Sequence, residues 1–153
     1  MHATDVVSDA TVTLKWFHAE GEEEVEASRA LLDAHGTLRI ALAVLDLTPY
    51  ELGSALLRGR AKARAEQVTT VLESLREICP TLSPSPAQLR LAAALAERHG
   101  LTLHDAAYAA TAQDHGATLA TLATLDSTLP TAGPGRRPSE IAAGLGLPAE
   151  RSA

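Results

Sequence analysis

The stretch TLRIALAVLDL, residues 37–47, is the part of the sequence that most restricts the possible fold. From Ile40 to Leu45 every side chain is apolar, without the alternation that marks a strand with one solvated face. Continuous apolar runs of this kind are typical of strands in parallel sheets, which helices cover on both faces. Thr48 and Pro49 follow at once and indicate the start of a helix. A strand that leads directly into a helix is the unit of an α/β fold.

The same order of strand and helix recurs along the chain. DVVSD (residues 5–9) predicts a short strand, and ATVTLKWFHAE predicts the helix after it. Near the other end, GATLATLATLDSTL (residues 116–129) contains three Ala-Thr-Leu triplets, whose β-branched threonines favour a strand. Strands that alternate with helices predict an α/β domain with a mostly parallel sheet. Further helices are expected over residues 22–35, 48–62, 63–78, 87–99, 101–116 and 138–144.

Length and composition narrow the class of protein. A chain of 153 residues suits one domain with one core, and its 46% hydrophobic content is ordinary for a globular protein. The single Cys79 excludes an internal disulfide and a cysteine-rich zinc site. No apolar stretch is long enough to cross a bilayer, and MHATDVVSDA lacks the basic and hydrophobic regions of a signal peptide. We therefore expect a soluble cytoplasmic protein that does not engage a membrane.

The charge distribution gives a weak indication about partners. A formal net charge of −6 argues against a protein that coats nucleic acid. The segment RGRAKAR is locally basic and could contact phosphate groups, or it could be a solvated helix face. Its four cations are Arg58, Arg60, Lys62 and Arg64.

Four acidic residues fall where the predicted strands end or where the following helices begin: Asp9, Glu51, Asp105 and Asp126. In an open parallel sheet, sites form at the carboxyl edge of the strands. Acids gathered there repel one another unless a cation lies among them. Mg²⁺ and Mn²⁺ prefer oxygen ligands, keep several waters and bind substrate phosphates. The four acids therefore predict a site for metal-assisted cleavage of a phosphodiester.

Each of these acids also has a structural interpretation, because carboxylates are favoured at helix N-termini. A cap is worth on the order of 1 kcal/mol. The candidate caps are Asp9 for the first helix, Glu51 with Thr48, Asp105 with Thr102, and Asp126 with Ser127.

Four segments resemble, in order, the motifs of the PIN-domain ribonucleases, in particular the VapC-type toxins of bacterial toxin–antitoxin pairs. They are VVSDATVTLKWF, LTPYELGSALLRG, LTLHDAAYAATAQDHGATL and LATLDSTL, and they extend from residue 5 to 129. The family's four acids correspond to Asp9, Glu51, Asp105 and Asp126, which the resemblance makes both metal ligands and catalytic residues. The threonine of the last motif corresponds to Thr124.

The resemblance implies a three-layer α/β/α sandwich with a central, mostly parallel sheet of about five strands. It also implies endonucleolytic cleavage of RNA with Mg²⁺ or Mn²⁺, the substrate being a structured RNA such as tRNA or rRNA. The implied partners are a VapB-like antitoxin that blocks the site and a second copy in a homodimer. We expect residues 1–135 to form the nuclease domain and residues 136–153 to be a partly disordered tail.

The chain departs from the family in two places. An extra Ala-Thr-Leu triplet lies between Gly116 and Asp126, and the usual final strand is not evident in the tail. Thr11 and Thr124 could hydrogen-bond neighbouring carboxylates, or they could be ordinary strand-end residues. Trp16 could pack in the core or help to dock an antitoxin helix.

Other functions remain to be weighed. A catalytically silent PIN-like module that binds RNA or a protein is the main alternative. A phosphoacceptor receiver domain also gathers acids at strand ends, but it needs a lysine on a late strand. Lys15 and Lys62 are the only lysines, so this class is excluded. A metallophosphatase acting on small molecules has no His-rich motif to support it.

Overall fold

A single five-stranded sheet forms the centre of the computed structural model, which describes residues 4–19, 23–122 and 135–147. The strands are β1 (Val6–Ser8), β2 (Leu42–Leu45), β3 (Thr81–Leu82), β4 (Thr118–Ala120) and β5 (Gly135–Arg136). They lie in the order β3-β2-β1-β4-β5, and every neighbouring pair is parallel. The predicted parallel sheet is confirmed.

Seven helices are present in the described ranges. They are α1 (Ala10–Phe17), α2 (Val25–Gly36), α3 (Thr48–Arg58), α4 (Ala65–Ile78), α5 (Pro86–His99), α6 (Leu103–Asp114) and α7 (Pro138–Gly144). In the part of the chain that the structure describes, no helix is long and apolar enough to cross a membrane.

Apolar side chains on both faces of the sheet produce the three layers. Successive side chains of a strand point to opposite faces. In β2, Leu42 and Val44 belong to one core, whereas Leu45 belongs to the other. The first core is completed by α1, α2, α3, α4 and α7, and the second by α5 and α6. The predicted α/β/α sandwich is confirmed, and the continuous apolar run is explained because β2 is buried on both sides.

Side-chain caps fix where the helices near the carboxyl edge of the sheet begin. Asp9 caps α1 by accepting a hydrogen bond from the backbone N–H of Val12. Thr102 caps α6 by accepting one from the N–H of Asp105. Both caps satisfy backbone donors that a helix leaves unpaired in its first turn. The caps also set the places of two of the four acids.

The C-terminal segment belongs to the packed domain as far as Leu147. β5 pairs in parallel with β4, and α7 packs beside α2. Glu24 secures this segment, because its carboxylate accepts hydrogen bonds from the backbone N–H and the hydroxyl of Ser139, at 2.8 and 2.6 Å. The final strand that was not evident from the sequence is therefore β5. Of the expected tail, the described part contains the end of β5 and all of α7, and residues 148–153 lie outside the described ranges.

Candidate active site

Asp9 lies where β1 ends and α1 begins, and hydrogen bonds fix both oxygens of its carboxylate. Both carboxylate oxygens accept threonine hydroxyls: Oδ1 from Thr11 at 2.6 Å and Oδ2 from Thr121 at 2.5 Å. Oδ1 also accepts the N–H of Val12 at 3.1 Å. These bonds fix the orientation of the carboxylate. The cap interpretation of Asp9 is thus confirmed, and its role as a metal ligand stays a prediction.

Burial controls the ionisation of Asp9, which is 7% exposed. Desolvation raises the pKa of the Asp9 carboxyl, and the hydrogen bonds from Thr11, Thr121 and the helix N-terminus oppose that rise. A buried carboxylate with a raised pKa is stabilised in its charged form by a cation. Asp9 is thus suited to bind a positively charged group.

The end of β4 differs from the sequence expectation. β4 pairs with β1 so that Ser8 lies opposite Ala120, and the next residue, Thr121, meets Asp9. The backbone N–H of Leu122 also donates to the Thr11 hydroxyl at 2.9 Å. Thr121 therefore makes a carboxylate contact of the kind considered for Thr124, and the contact of Thr124 itself stays a prediction. Thr124 and Asp126 themselves lie outside the described residues.

Glu51 occupies the first turn of α3, after β2, but it does not form the expected capping box with Thr48. The Thr48 side chain is fully buried, and its Oγ1 accepts the backbone N–H of Leu45 at 3.1 Å. The Glu51 carboxylate instead accepts the phenolic hydroxyl of Tyr108 at 2.8 Å. A side chain from a distant helix therefore replaces the local cap.

The electrostatics of Glu51 indicate which acids the fold brings together. Partial burial raises the pKa of the Glu51 carboxyl, the hydrogen bond from Tyr108 and the charge of His104 lower it, and the charges of Asp9 and Asp105 raise it. Glu51 thus experiences the fields of Asp9 and Asp105, although they are far away in the sequence. Three of the four sequence-predicted acids therefore lie at the carboxyl edge of the sheet, near enough for Asp9 and Asp105 to affect the pKa of Glu51.

Asp105 is half-buried in the first turn of α6. Its backbone N–H completes the Thr102 cap, so the position has a structural reason of its own. Its side chain adds negative charge beside Glu51. Helix α6 runs antiparallel to β4, the strand that follows it, and β4 is parallel to β1 and β2. The N-terminus of α6 therefore lies at the edge of the sheet where β1 and β2 end.

The three acids lie too far apart for all of them to bind one ion directly. Across residues 4–19, 23–122 and 135–147, no three His, Cys, Asp or Glu side chains come close enough to hold one ion together. Mg²⁺ needs only one or two protein carboxylates, with waters and substrate phosphates completing its shell. A carboxylate oxygen has two lone pairs, so an oxygen with one hydrogen bond can still bind a cation. The chemistry of the three acids fits a hydrated divalent ion.

Two residues of the site were not singled out from the sequence. In the sequence, Tyr108 lies within the predicted helix of residues 101–116, and Thr121 lies within the Ala-Thr-Leu repeat. The available signal for Tyr108 was its place three residues after Asp105, as the one large polar side chain in DAAYAATA. No local signal distinguished Thr121 from Thr124, because the triplets are identical.

The remaining candidate residues are now placed. Trp16 is buried in the first core and donates its indole N–H to the carbonyl of Ser28 at 2.9 Å, so its packing role is confirmed. The basic segment begins at the last residue of α3, Arg58, and continues through the turn that leads to α4. Ala61 and Ala63 of this turn pack towards the core, and its cations face solvent.

The PIN domain family matches residues 6–130. The chain therefore belongs to the PIN-domain family, as the four motifs indicated. Ribonuclease VapC3 of Pyrobaculum aerophilum is 36% identical to it over 121 residues, which cover 76% of this chain and 88% of that protein.

Two solved structures are similar to this chain over most of its length. The crystal structure of PAE2754 from Pyrobaculum aerophilum matches with a TM-score of 0.66 and 25% identity, covering 94% of this chain and 90% of that one. A toxin–antitoxin complex from Klebsiella pneumoniae matches with a TM-score of 0.63 and 21% identity, covering 88% of this chain and 98% of that one. The second likeness concerns the fold alone.

Proposed function

We propose that this chain is a metal-dependent endoribonuclease, the toxin of a type II toxin–antitoxin pair. The observation that carries the proposal is that Asp9, Glu51 and Asp105 lie at the carboxyl edge of a PIN-domain sheet. Burial raises the pKa of Glu51, and the charges of Asp9 and Asp105 add to that rise. The similarity to Ribonuclease VapC3 supports RNA as the substrate.

The proposal assigns metal binding to the acids and orientation of Asp9 to two threonines. Asp9, Glu51 and Asp105 would hold a Mg²⁺ or Mn²⁺ ion directly or through water, and Asp126 would complete the pocket. Such an ion would supply an activated water and would neutralise charge on the leaving oxygen of the phosphodiester. Thr11 and Thr121 keep the Asp9 carboxylate in one orientation, so that little reorganisation is needed when RNA binds.

The partners follow from the same assignment. The substrate is RNA, with structured RNAs such as tRNA and rRNA as the first candidates. We assign phosphate contacts to the exposed cations Arg58, Arg60, Lys62 and Arg64, with a solvated surface as the alternative. A VapB-like antitoxin restrains the enzyme in the cytoplasm, and a homodimer is the expected active form.

The proposal is tested by incubating the purified chain with a pool of structured RNAs in Mg²⁺, in Mn²⁺ and in EDTA. We expect cleavage with either metal and none in EDTA. Asp9→Asn should abolish the cutting, because it removes a charged ligand while keeping the size of the side chain. Glu73→Gln, which removes one charge from the exposed face of α4, is the matched control and should cut normally.

The alternative outcome is also informative. Metal-independent cutting, or cutting that survives in Asp9→Asn, would contradict the assignment of the active site. Absence of both cutting and Mn²⁺ binding would leave the chain as a catalytically silent PIN-like module.

A further inference from the structure

A chain of three hydrogen bonds connects the end of β2 to the Glu51 carboxylate. The Leu45 N–H donates to Thr48 Oγ1 at 3.1 Å, Thr48 and Tyr108 share a hydrogen bond of 2.7 Å between their hydroxyls, and the Tyr108 hydroxyl donates to Glu51 Oε1 at 2.8 Å. The direction of the middle bond follows from the outer ones. Because Tyr108 donates its one hydroxyl hydrogen to Glu51, the Thr48 hydroxyl must donate to Tyr108.

Each donor in this series of three hydrogen bonds therefore has one acceptor. Thr48 is fully buried and Tyr108 is 2% exposed, so water does not compete for their hydroxyls. The chain joins β2, α3 and α6, three elements that meet at the acidic edge. In the described part of the molecule, Glu51 Oε2 accepts no hydrogen bond. One oxygen of Glu51 is held and the other is available.

We propose that Tyr108, directed by Thr48, is a positioning residue that holds Glu51 Oε1 so that Oε2 is presented to the divalent ion. This inference rests on the proposed function. Partners of this kind orient a ligand before the ion binds, and their loss typically lowers metal affinity about 10–100-fold. Tyr108 acts through Glu51, so it contributes to ion binding without contacting the substrate.

The first test is Tyr108→Phe, which removes the hydroxyl and keeps the ring. We expect the Mn²⁺ affinity of the full chain, measured by isothermal titration calorimetry without RNA, to fall about tenfold. In cleavage assays kcat should fall at subsaturating Mn²⁺, and KM for RNA should stay unchanged. High Mn²⁺ concentrations should restore most of kcat, which a purely structural defect would not show.

Substitutions at Thr48 test whether its hydroxyl takes part in this series of hydrogen bonds. Thr48→Ser keeps the hydroxyl, so Mn²⁺ affinity should remain close to that of the unmodified protein. Thr48→Val removes it and should weaken Mn²⁺ binding. When it is combined with Tyr108→Phe, Thr48→Val should lower Mn²⁺ affinity little further. The two hydroxyls belong to one series of hydrogen bonds, so their effects are not additive. These variants also keep the proposal testable if Tyr108→Phe does not fold.

Thr111→Val is the matched control. Thr111 lies on the same helix as Tyr108 and is 1% exposed, and its hydroxyl has no hydrogen-bond partner within the described ranges. Removing that hydroxyl should leave Mn²⁺ affinity unchanged.

The outcomes separate this inference from the proposed function. If the unmodified chain binds Mn²⁺ and cuts RNA but Tyr108→Phe binds Mn²⁺ equally well, the positioning role is wrong and the nuclease remains. If the unmodified chain neither binds Mn²⁺ nor cuts, the proposed function fails, and the inference fails with it. A loss in Thr111→Val equal to that in Tyr108→Phe would also overturn the inference.

Discussion

Thr121 donates its hydroxyl to Oδ2 of Asp9 at 2.5 Å, joining the end of β4 to the end of β1. The contact follows from the parallel register, in which Val7 lies opposite Leu119 and Ser8 opposite Ala120. The register also determines which Ala-Thr-Leu triplet reaches the acidic edge. Of the two triplets that the structure describes in full, the second, residues 120–122, lies there, and β4 ends at its first residue, Ala120.

The first prediction concerns this register. Thr121→Val keeps the shape of the side chain but leaves the buried Asp9 oxygen without its hydroxyl donor. A hydrogen bond to a charged group contributes about 1.5–3 kcal/mol, so we expect the free energy of unfolding to fall by about 2 kcal/mol. RNA cleavage should fall about tenfold. Thr69→Val, on the exposed face of α4, is the control and should change both quantities much less; equal losses in the two variants would contradict a specific role for the Thr121 hydroxyl.

Asp126 is the second subject of prediction. It stands five residues after Thr121 in the sequence, whereas the resemblance places the last acid two residues after the threonine. Ala123 occupies that nearer position. Because we assign Asp126 to the pocket, Asp126→Asn should lower the cleavage rate at least about tenfold. Single-turnover assays at saturating RNA measure this, and an unchanged rate would remove Asp126 from the site.

A third prediction concerns the lone thiol. Burial raises the pKa of Cys79 from its ordinary 9.0 to about 11. A shift of two units reduces the thiolate fraction about 100-fold at pH 8.5, so alkylation by iodoacetamide should be at least that much slower in the folded protein than in guanidinium. The raised pKa also means that the thiol's contribution to stability is fully present below pH 9 and is lost as the pH rises through about 11. Rapid labelling of the folded protein at pH 8.5 would contradict this account.

His35 gives a prediction about stability alone. Its Nδ1 accepts the backbone N–H of Leu42 at 3.0 Å, which leaves Nε2 to donate to the carbonyl of Ile78, also at 3.0 Å. The imidazole thereby joins α2, β2 and α4 away from the acids. His35→Ala should lower the free energy of unfolding by about 2 kcal/mol in urea titrations. The specific cleavage rate should not change, and His115→Ala, at an exposed position, should leave both quantities unchanged.

The fold was predictable where local pattern and final environment agree. The apolar runs before Asp9 and Thr48 predicted β1 and β2, because both strands are buried on two faces. β5 is only two residues long and carries no apolar run, so periodicity had nothing to detect. Helices α3 and α6 were clear from their first turns.

The site was predictable only in part, for a physical reason. The positions of Asp9, Glu51 and Asp105 follow from strand ends and helix starts, which are local features. Their partners depend on contacts between distant elements: the sequence indicated a local cap for Glu51, but the fold supplies Tyr108. The choice of Thr121 likewise depends on strand register, which three identical triplets leave open.

The most direct test of the central claim is a Mn²⁺ titration of the unmodified chain beside Asp9→Asn, Glu51→Gln and Asp105→Asn, each measured by calorimetry. The account predicts that the unmodified chain binds Mn²⁺ and that each substitution weakens binding about tenfold or more, while Glu73→Gln has no effect. Unchanged affinity in all three site variants would contradict the account, because the ion would then bind somewhere other than the carboxylates at the edge of the sheet.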